Sequence, residues 1–373
     1  MIIAINTRQA KGNDNFFVEC FSDIAKKHPQ HQFIFIFDAL YDEKLITSKN
    51  ITVIVSGPKV SSPLRWLYRY NYKIPALLKK YNADIFVSVD GICSLRTKLP
   101  QCLLLHDLSY LYCSEFLIKS HARFFNRYTP KFLEKAKVIA THSAFSKIAI
   151  AKHYKIDEQK IYIIPEAVSG LFQPMGPEEK EKVRNEYSDG KEYFLFTGDL
   201  SPRDNPMNLL KAFSFFKKRQ KSNMKLLILV TQASNDASFT TGLKSFKFRD
   251  EVKLLRYLSN GELARITAAA YAFVYPVLFQ DLALRTLEAI QCEVPVIAAN
   301  STAFRELFGE AVLYANPNDF NDIADKMMTL FKDEQKRMKL ITVGKQQPKG
   351  FSIEKTADLL WQFISHAIER ETT

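Results

Sequence analysis

Phe279-Gln280-Asp281-Leu282-Ala283-Leu284-Arg285-Thr286-Leu287-Glu288-Ala289-Ile290, followed by Val294-Pro295-Val296-Ile297-Ala298, is the stretch that decides the fold. Its order predicts a strand end, a tight turn, a helix and a buried strand. The helix would bring its N-terminus and the carboxylate of Glu288 to the mouth of an α/β sheet. Free N–H groups and the helix dipole favour phosphate there, and a carboxylate further along the helix suits ribose hydroxyls. The stretch therefore predicts a nucleoside-diphosphate pocket.

Apolar, β-rich runs alternate with helix-length stretches along the whole chain. This alternation predicts parallel sheets with helices on both faces. Runs such as 32–37 and 101–105 are continuously apolar, as strands buried on both faces are. The predicted strands are 1–6, 32–37, 51–55, 84–89, 101–105, 137–141 and 161–164, and then 193–197, 224–230, 251–255, 272–275, 294–298 and 311–314.

The pattern restarts after a turn-rich segment at 165–177, which indicates two α/β domains. We assign 1–170 to the first, 171–350 to the second, and 351–373 to a helix that packs back on the first. Two doubly wound domains in tandem would bind ligands in a cleft between the carboxyl ends of their sheets. The sequence has neither a Gly-x-Gly-x-x-Gly fingerprint nor a Gly-Lys-Ser/Thr phosphate loop, which disfavours a dinucleotide dehydrogenase.

The charge is concentrated in the first half of the chain. The 373 residues carry a net charge of +12. Residues 1–170 hold 24 basic and 14 acidic residues, hence +10, whereas the remainder holds 28 and 26, hence +2. A basic half indicates an acidic partner, such as nucleic acid, anionic lipid or a phosphorylated substrate, or simply a basic surface.

The cysteines and the N-terminus bear on the compartment. The five cysteines are odd in number, scattered and without metal-ligand spacing, which is typical of reduced thiols in a cytoplasmic protein. The apolar start, 1–5, is too short for a signal-peptide core and is predicted to be a strand. No apolar run approaches the roughly 20 residues of a membrane span. We expect a cytoplasmic protein, with peripheral contact to the inner face of the membrane as a further option.

That option comes from residues 64–73, Leu-Arg-Trp-Leu-Tyr-Arg-Tyr-Asn-Tyr-Lys, which mix cations with aromatic side chains. A helix of this composition can lie on an anionic membrane. It can equally be a packed helix with a basic outer side, and the sequence leaves both interpretations open.

A second group of candidate residues lies in the loop 197–206, after the first strand of the second domain. Gly198 permits a tight turn. Arg203 carries a fixed, forked positive charge that suits a diphosphate. Asn205 is predicted to cap the helix that Pro206 opens. A plain capped loop is the alternative interpretation.

Two strand ends in the first domain also carry polar side chains. His106 follows the buried run 102–105, where it would face the cleft and could donate a hydrogen bond to a substrate hydroxyl or to the reacting centre. A structural histidine is the alternative. Ser143 begins the next strand-to-helix passage and is predicted to cap that helix, with a phosphate contact as the second option.

These elements, in this order, resemble the retaining glycosyltransferases of family 4, which have the GT-B fold. On the first-domain side the resemblance rests on Leu105-His106-Asp107-Leu108, on 137–147 and on 160–165. On the second-domain side it rests on 276–295 and on 304–314. It implies two Rossmann-like domains facing across a cleft, with a C-terminal helix crossing back.

The resemblance also implies the chemistry: a sugar moves from a nucleotide-diphosphate donor to a glycan or lipid-linked acceptor, with retention at the anomeric carbon. No metal, cofactor or nucleic acid is expected. By position, Arg203 would bind the diphosphate, Glu288 the ribose, and His106 would lie near the transferred sugar. The backbone of Leu282, Ala283 and Leu284 would meet the phosphates, with Gly198 and Asn205 in the same pocket.

The chain departs from the family pattern at the donor pocket. Asp204 stands where the family usually has a lysine on the diphosphate, and Gln280 where it has a glutamate near the sugar. A like charge about 4 Å from the diphosphate would cost about 4 kcal/mol at an effective dielectric near 20. On this basis Asp204→Lys is expected to tighten nucleotide binding.

Three kinds of function follow from these departures. The first is an active transferase, in which Lys211 or another cation replaces the missing lysine and His106, Arg203 and Gln280 act at the reacting centre. The second is an inactive GT-B partner protein of another transferase. The third is a nucleotide-sugar 2-epimerase of the same architecture. The sequence favours the active transferase.

Overall fold

The computed structural model describes residues 1–8, 16–38, 41, 43, 46, 48–57, 60–230, 237–256, 258–279, 284–347 and 351–369. The chain divides into two compact units: residues 1–167 with 351–373, and residues 168–350. The C-terminal segment thus belongs to the first unit, and the first unit's main stretch ends three residues before the predicted boundary at 170.

Each unit contains one parallel sheet, and all the predicted strands are present. In the first unit the strands are β1 (Ile2–Arg8), β2 (Gln32–Phe37), β3 (Ile51–Val55), β4 (Ile85–Ser88), β5 (Gln101–Leu104), β6 (Val138–Thr141) and β7 (Ile161–Ile163). In the second they are β8 (Tyr193–Gly198), β9 (Lys225–Val230), β10 (Val252–Arg256), β11 (Ala272–Tyr275), β12 (Val296–Ala299) and β13 (Leu313–Ala315). The sheet orders are β3-β2-β1-β4-β5-β6-β7 and β10-β9-β8-β11-β12-β13.

Helices connect the strands, as parallel pairing requires. The first unit has α1 (Phe16–Lys27), α2 (Pro63–Tyr68), α3 (Ile74–Lys80), α4 (Ser109–Tyr112), α5 (Lys119–Lys135) and α6 (Ala144–Tyr154). The second has α7 (Pro177–Ser188), α8 (Pro206–Gln220), α9 (Ala237–Lys244), α10 (Asn260–Ala268), α11 (Leu284–Gln291), α12 (Thr302–Phe308), α13 (Phe320–Lys332) and α14 (Glu334–Gly344). The last helix, α15 (Ile353–Glu369), returns to the first unit.

Two features differ from the sequence prediction. The sequence over 63–81 predicts one continuous helix, but a π-helical turn, Arg69–Lys73, separates α2 from α3. The turn ends beside Pro75, which has no N–H to continue the ordinary hydrogen-bond ladder. Three helices of the second unit, α7, α9 and α12, were not predicted. In α7 the buried residues are Val183 and Ser188, so its apolar pattern is weak.

The core of the first unit includes the C-terminal helix. Side chains of β1, β2 and β4 form one buried cluster with α1 and with Leu360, Phe363 and Ile364 of α15. These three residues have no measurable solvent exposure. Helix α15 is therefore part of the hydrophobic core of the unit.

Among the residues that the structure describes, no helix has the length and apolar character needed to cross a lipid bilayer. All five cysteines are described, all are buried, and none forms a disulfide.

We expect Phe363→Ala to lower the free energy of unfolding of the full chain by about 3–5 kcal/mol, because it empties a fully buried site in α15. The neighbouring Gln362→Ala, at an exposed position, is the matched control and should change it by less than about 0.5 kcal/mol. Urea unfolding followed by circular dichroism measures both. Equal stability of the two variants would contradict the packing of α15 described above.

Candidate functional site

The candidate site lies at the carboxyl ends of β8 and β11, which are neighbours in the second sheet. The loop after β8 and the loop after β11 are held together by hydrogen bonds. The Leu278 N–H donates to the Arg203 carbonyl at 2.9 Å. The Asn205 side-chain amide donates to the Pro276 carbonyl at 2.8 Å. Parallel strands thus bring Arg203 beside the segment that leads to α11.

Asn205 does not cap helix α8, which corrects the sequence prediction. Its backbone is left-handed, with φ 64°, and its side chain makes no capping hydrogen bond. An N-cap residue needs an extended backbone, so the capping geometry is out of reach. The side-chain amide instead donates to the carbonyls of Pro276 and Pro317, at 2.8 and 2.7 Å. Asn205 therefore links its own loop to two others by hydrogen bonds and does not cap the helix.

Asp204 is buried, with 5% of its surface exposed. One carboxylate oxygen accepts the Asp199 N–H at 2.6 Å, and the other lies 3.3 Å from the Arg203 Nε. Burial raises the pKa of the carboxyl, and the Arg203 charge opposes that rise. The side chain closes the loop on itself and holds Arg203.

Gly198 is needed for close approach. A Cβ at this position would lie 2.9 Å from the Asp204 carboxylate and 2.9 Å from the Phe196 ring. The carboxylate therefore occupies the space that a side chain at Gly198 would fill. Arg203 itself is partly exposed, with 28% of its side chain accessible.

Glu288 lies in α11 and is 5% exposed. The Arg285 Nη1 donates to both of its carboxylate oxygens at 2.8 Å. Burial raises the pKa of Glu288, and the Arg285 charge works against that rise. Leu284 is the first residue of α11, as the prediction of a helix opening here requires.

Tyr275, the last residue of β11, joins the two groups of charges. It is 3% exposed, and burial raises its pKa. Asp204 and Glu288 raise that pKa further, whereas Arg285 and Arg203 lower it. Charged side chains of the loop after β8 and of helix α11 thus both influence the pKa of one buried hydroxyl group.

Three predicted site residues, Gln280, Leu282 and Ala283, lie outside the described residues. Their roles stay predictions. Lys211, proposed as a replacement cation, is described: its ammonium lies 6.0 Å from the centre of the Phe320 ring of α13.

His106 belongs to the first unit and is half-buried at the end of β5. Its ring centroid lies 5.3 Å from that of His142 and 6.1 Å from that of Phe17. His142 follows β6, and Glu166 follows β7, so three consecutive strand ends supply this group. The role of His106 beside the transferred sugar stays a prediction.

His142 is buried and neutral near physiological pH. Burial, with a smaller contribution from His106, lowers its pKa to about 3. Its Nδ1 is 2.9 Å from the Ile164 carbonyl oxygen, so Nδ1 carries the proton that the neutral ring donates. Its Nε2 lies 3.8 Å from a Glu166 carboxylate oxygen. The His142 ring thus lies beside His106 as a neutral, hydrogen-bonded neighbour.

As predicted, Ser143 caps α6, its hydroxyl accepting the Ser146 N–H at 3.1 Å.

The sequence analysis missed Tyr275, Arg285 and His142. A signal was available for Arg285, because arginine three residues before a glutamate on a helix forms an ion pair. The burial of Tyr275 and His142 could be expected from their strand ends. That they face other functional groups depends on packing between elements, which the sequence does not display.

Two family models match the chain, one in each half. The model described as "Glycosyltransferase Family 4" matches residues 28–169. The model described as "Glycosyl transferases group 1" matches residues 177–347.

Curated relatives carry transferase names. O-antigen chain mannosyltransferase B of Escherichia coli is 29% identical over 250 residues, which are 67% of this chain and 66% of that protein. O-antigen chain mannosyltransferase RfbU of Salmonella typhimurium is 28% identical over 291 residues, 75% of each chain. The matched stretch therefore spans about two thirds of the first relative and three quarters of the second.

Solved structures of the same shape cover nearly the whole chain. WaaG, a glycosyltransferase involved in lipopolysaccharide biosynthesis, aligns with a TM-score of 0.78 at 14% identity, over 96% of this chain and 98% of that one. HepE of Anabaena, solved in complex with UDP and glucose, aligns with a TM-score of 0.75 at 16% identity, over 98% and 99%. At these identities the likeness shows the fold, which is GT-B.

Fold, family models and relatives agree on one class. The chain is a glycosyltransferase of the GT-B type, similar to family 4.

The structure changes the expectation for Asp204→Lys. A lysine would place an ammonium in a buried position beside Arg203 and would leave the Asp199 N–H without its acceptor. We expect this variant to lose about 3 kcal/mol of unfolding free energy and to bind nucleotide no more tightly than the native protein. Chemical denaturation and calorimetry measure the two quantities.

The matched control is Asp204→Asn, which keeps an oxygen for the Asp199 N–H. Asp204→Asn should lose less stability than the lysine variant.

Because the folded-state pKa of Asp204 is raised, the stabilisation from the native side chain is greatest in acid and falls as pH rises through that pKa. The difference in unfolding free energy between the native protein and Asp204→Asn should therefore narrow as the pH rises above about 4, the pKa of an aspartate in an unfolded chain. A stable lysine variant with tighter nucleotide binding would show that Asp204 faces the phosphates.

Proposed function

We propose that the protein transfers a hexose from a nucleoside-diphosphate donor to a glycan or lipid-linked acceptor, with retention and without a metal ion. The observation that carries the donor assignment is that hydrogen bonds hold the loop of Arg203 against the end of β11, the strand that precedes α11 and its buried Glu288. A guanidinium suits a diphosphate, and a buried carboxylate suits the two hydroxyls of a ribose.

The charge distribution supports stabilisation of the leaving group by side chains. Arg203 is partly exposed and fixed by its neighbour Asp204, so it is oriented before the substrate arrives. A preoriented cation stabilises charge that develops on the departing diphosphate without reorganisation. Helix α11, which begins at Leu284, would add the positive end of its dipole to this stabilisation.

The relatives support mannose as the transferred sugar. Both of the similar curated proteins described above are mannosyltransferases that act on O-antigen chains. A polysaccharide or a lipid-linked oligosaccharide is accordingly our proposed acceptor. His106, at the end of β5 in the first unit, is the proposed contact with the transferred sugar.

The inactive-partner and epimerase alternatives receive less support. The two curated relatives and WaaG are transferases by name, and Arg203, Glu288 and His106 are all present in this chain. The charge conflict that motivated the inactive alternative is also reduced, because Asp204 is engaged with Arg203 and the Asp199 N–H.

The first unit has an exposed surface, on α2 and the π-helical turn, that suits contact with an anionic membrane. Leu64, Tyr68 and Tyr72 are spaced four residues apart on α2 and the π turn and are 80%, 56% and 50% exposed. The rings of the two tyrosines stack, with centroids 5.6 Å apart. Such a stripe can enter the headgroup region of a lipid bilayer.

Basic side chains lie on the adjoining helix. Arg123, Arg127 and Lys131 are exposed at four-residue spacing on α5. Trp66 of α2 packs against the Phe124 ring of α5, with 5.2 Å between the ring centroids, so the two helices are in contact. Apolar and cationic stripes on two packed helices are the combination that anionic lipid attracts.

Calorimetry with the nucleoside diphosphates and their mannose and glucose conjugates tests the donor assignment. We expect one base to bind, and Glu288→Gln to weaken that binding at least tenfold, because a neutral amide accepts less strongly from the ribose hydroxyls. Glu334→Gln is the matched control, since Glu334 pairs with Arg337 in the same i,i+3 arrangement on α14. It should leave binding unchanged.

Absence of binding by every nucleoside diphosphate at millimolar concentration would contradict the proposal. Where a donor binds, transfer to an acceptor in the presence of a chelator and the anomeric configuration of the product by NMR test the remaining parts. An inverted product, or transfer abolished by the chelator, would overturn retention or metal independence respectively.

Flotation with phosphatidylglycerol vesicles tests the membrane surface. We expect the native protein to float with these vesicles and to remain behind with phosphatidylcholine vesicles. The double variant Leu64→Glu with Tyr68→Glu should lose flotation. Met338→Glu, at a 48% exposed apolar position on α14, is the control and should float as the native protein does. Failure of the native protein to float at low salt would remove the membrane contact from the proposal.

A further inference from the structure

The Glu288 carboxylate, which is proposed to bind the ribose, is already engaged in an ion pair with Arg285. One guanidinium nitrogen donates to both carboxylate oxygens at 2.8 Å. The pair is largely buried, with 17% of the Arg285 side chain and 7% of the Glu288 side chain exposed. Ribose hydroxyls can therefore reach these oxygens only in competition with the guanidinium.

Arg285 is well placed to move between two partners. It lies in the first turn of α11, one turn before Glu288, and so on the side of the helix where phosphate is favoured. Its side chain is long, permanently charged and carries five N–H donors in a fork that matches phosphate oxygens.

The second unit also lacks a cation where the family pattern has one. Asp204 stands at that position, and it is occupied with the Asp199 N–H and Arg203. Among the residues that the structure describes, Asp204 and Glu288 raise the pKa of Tyr275, and Arg203 and Arg285 lower it. A diphosphate would bring additional negative charge beside the two carboxylates. A second guanidinium released from its carboxylate would offset it.

We propose that Arg285 is a donor-binding residue that exchanges partners when the nucleotide arrives. Ribose hydroxyls donate to the Glu288 oxygens, and the Arg285 guanidinium moves from Glu288 onto the phosphates beside Arg203. The proposal rests on the donor function proposed above. It assigns to Arg285 the work that the lysine at the position of Asp204 does in the family pattern.

The exchange makes ribose and phosphate recognition interdependent. A nucleoside without phosphates has to displace Arg285 from Glu288 and offers the guanidinium no new partner. A nucleoside diphosphate supplies both the hydroxyls and the new partner. The native protein therefore discriminates against nucleosides more strongly than the phosphate contacts of Arg203 alone would require.

Arg285→Gln tests the exchange with two ligands, a nucleoside diphosphate and the corresponding nucleoside, whose affinities should respond differently to the substitution. Using the full-length protein and the base identified by calorimetry, we expect the variant to bind the nucleoside diphosphate at least tenfold more weakly. The same variant should bind the corresponding nucleoside as tightly as the native protein or more tightly, as measured by NMR titration. Arg285→Lys, which keeps the charge, should restore part of the diphosphate affinity.

The matched control is Arg337→Gln, which removes the cation of the Glu334 pair on α14 and should leave both affinities unchanged. Equal weakening of both probes in Arg285→Gln would mean that Arg285 only holds Glu288 in place, and would overturn the exchange. Diphosphate affinity within twofold of the native protein would overturn it as well. Failure of the native protein to bind any nucleoside diphosphate would instead refute the donor function, so the two failures are distinguishable.

Discussion

Hydrogen bonds between the loop after β8 and the end of β11 are the constraint on which the candidate site depends. The Arg203 carbonyl accepts the Leu278 N–H, and the Asn205 amide reaches the Pro276 and Pro317 carbonyls. These bonds satisfy backbone groups that would otherwise be unpaired beside a buried sheet. They also hold the Arg203 backbone beside Leu278, just beyond the end of β11.

The same constraint explains how an aspartate is accommodated where the family pattern has a lysine. Asp204 turns inward, accepts a backbone N–H and pairs with Arg203, and Gly198 provides the space for its carboxylate. A buried carboxylate needs such partners, because its desolvation is otherwise too costly. The substitution thus changes the role of the position, from contact with substrate to support of a neighbouring cation. Arg285 then becomes the natural source of the second positive charge.

Much of the fold could be predicted from the sequence, because strands buried on both faces are continuously apolar and helices alternate with them. Strand ends in a parallel sheet collect at one edge, so Arg203 and His106 could be selected as candidates from their positions after predicted strands. Glu288 was selected from its place on the helix that follows a strand, and the roles of all three residues were inferred from the family resemblance. Details that depend on side-chain competition could not. Asn205 looked like a helix cap, but its left-handed backbone sends the amide to two carbonyls of other loops. Helix α7 escaped notice because few of its side chains are buried.

Hydrogen–deuterium exchange with and without the bound nucleoside diphosphate tests the central claim most directly. The claim is that the loop 199–205 and the helix 284–291 hold the diphosphate end of one ligand together. The nucleotide should slow amide exchange in both segments, and should leave helix α14, 334–344, unchanged. Protection of one segment without the other, or protection confined to the first unit, would contradict the account.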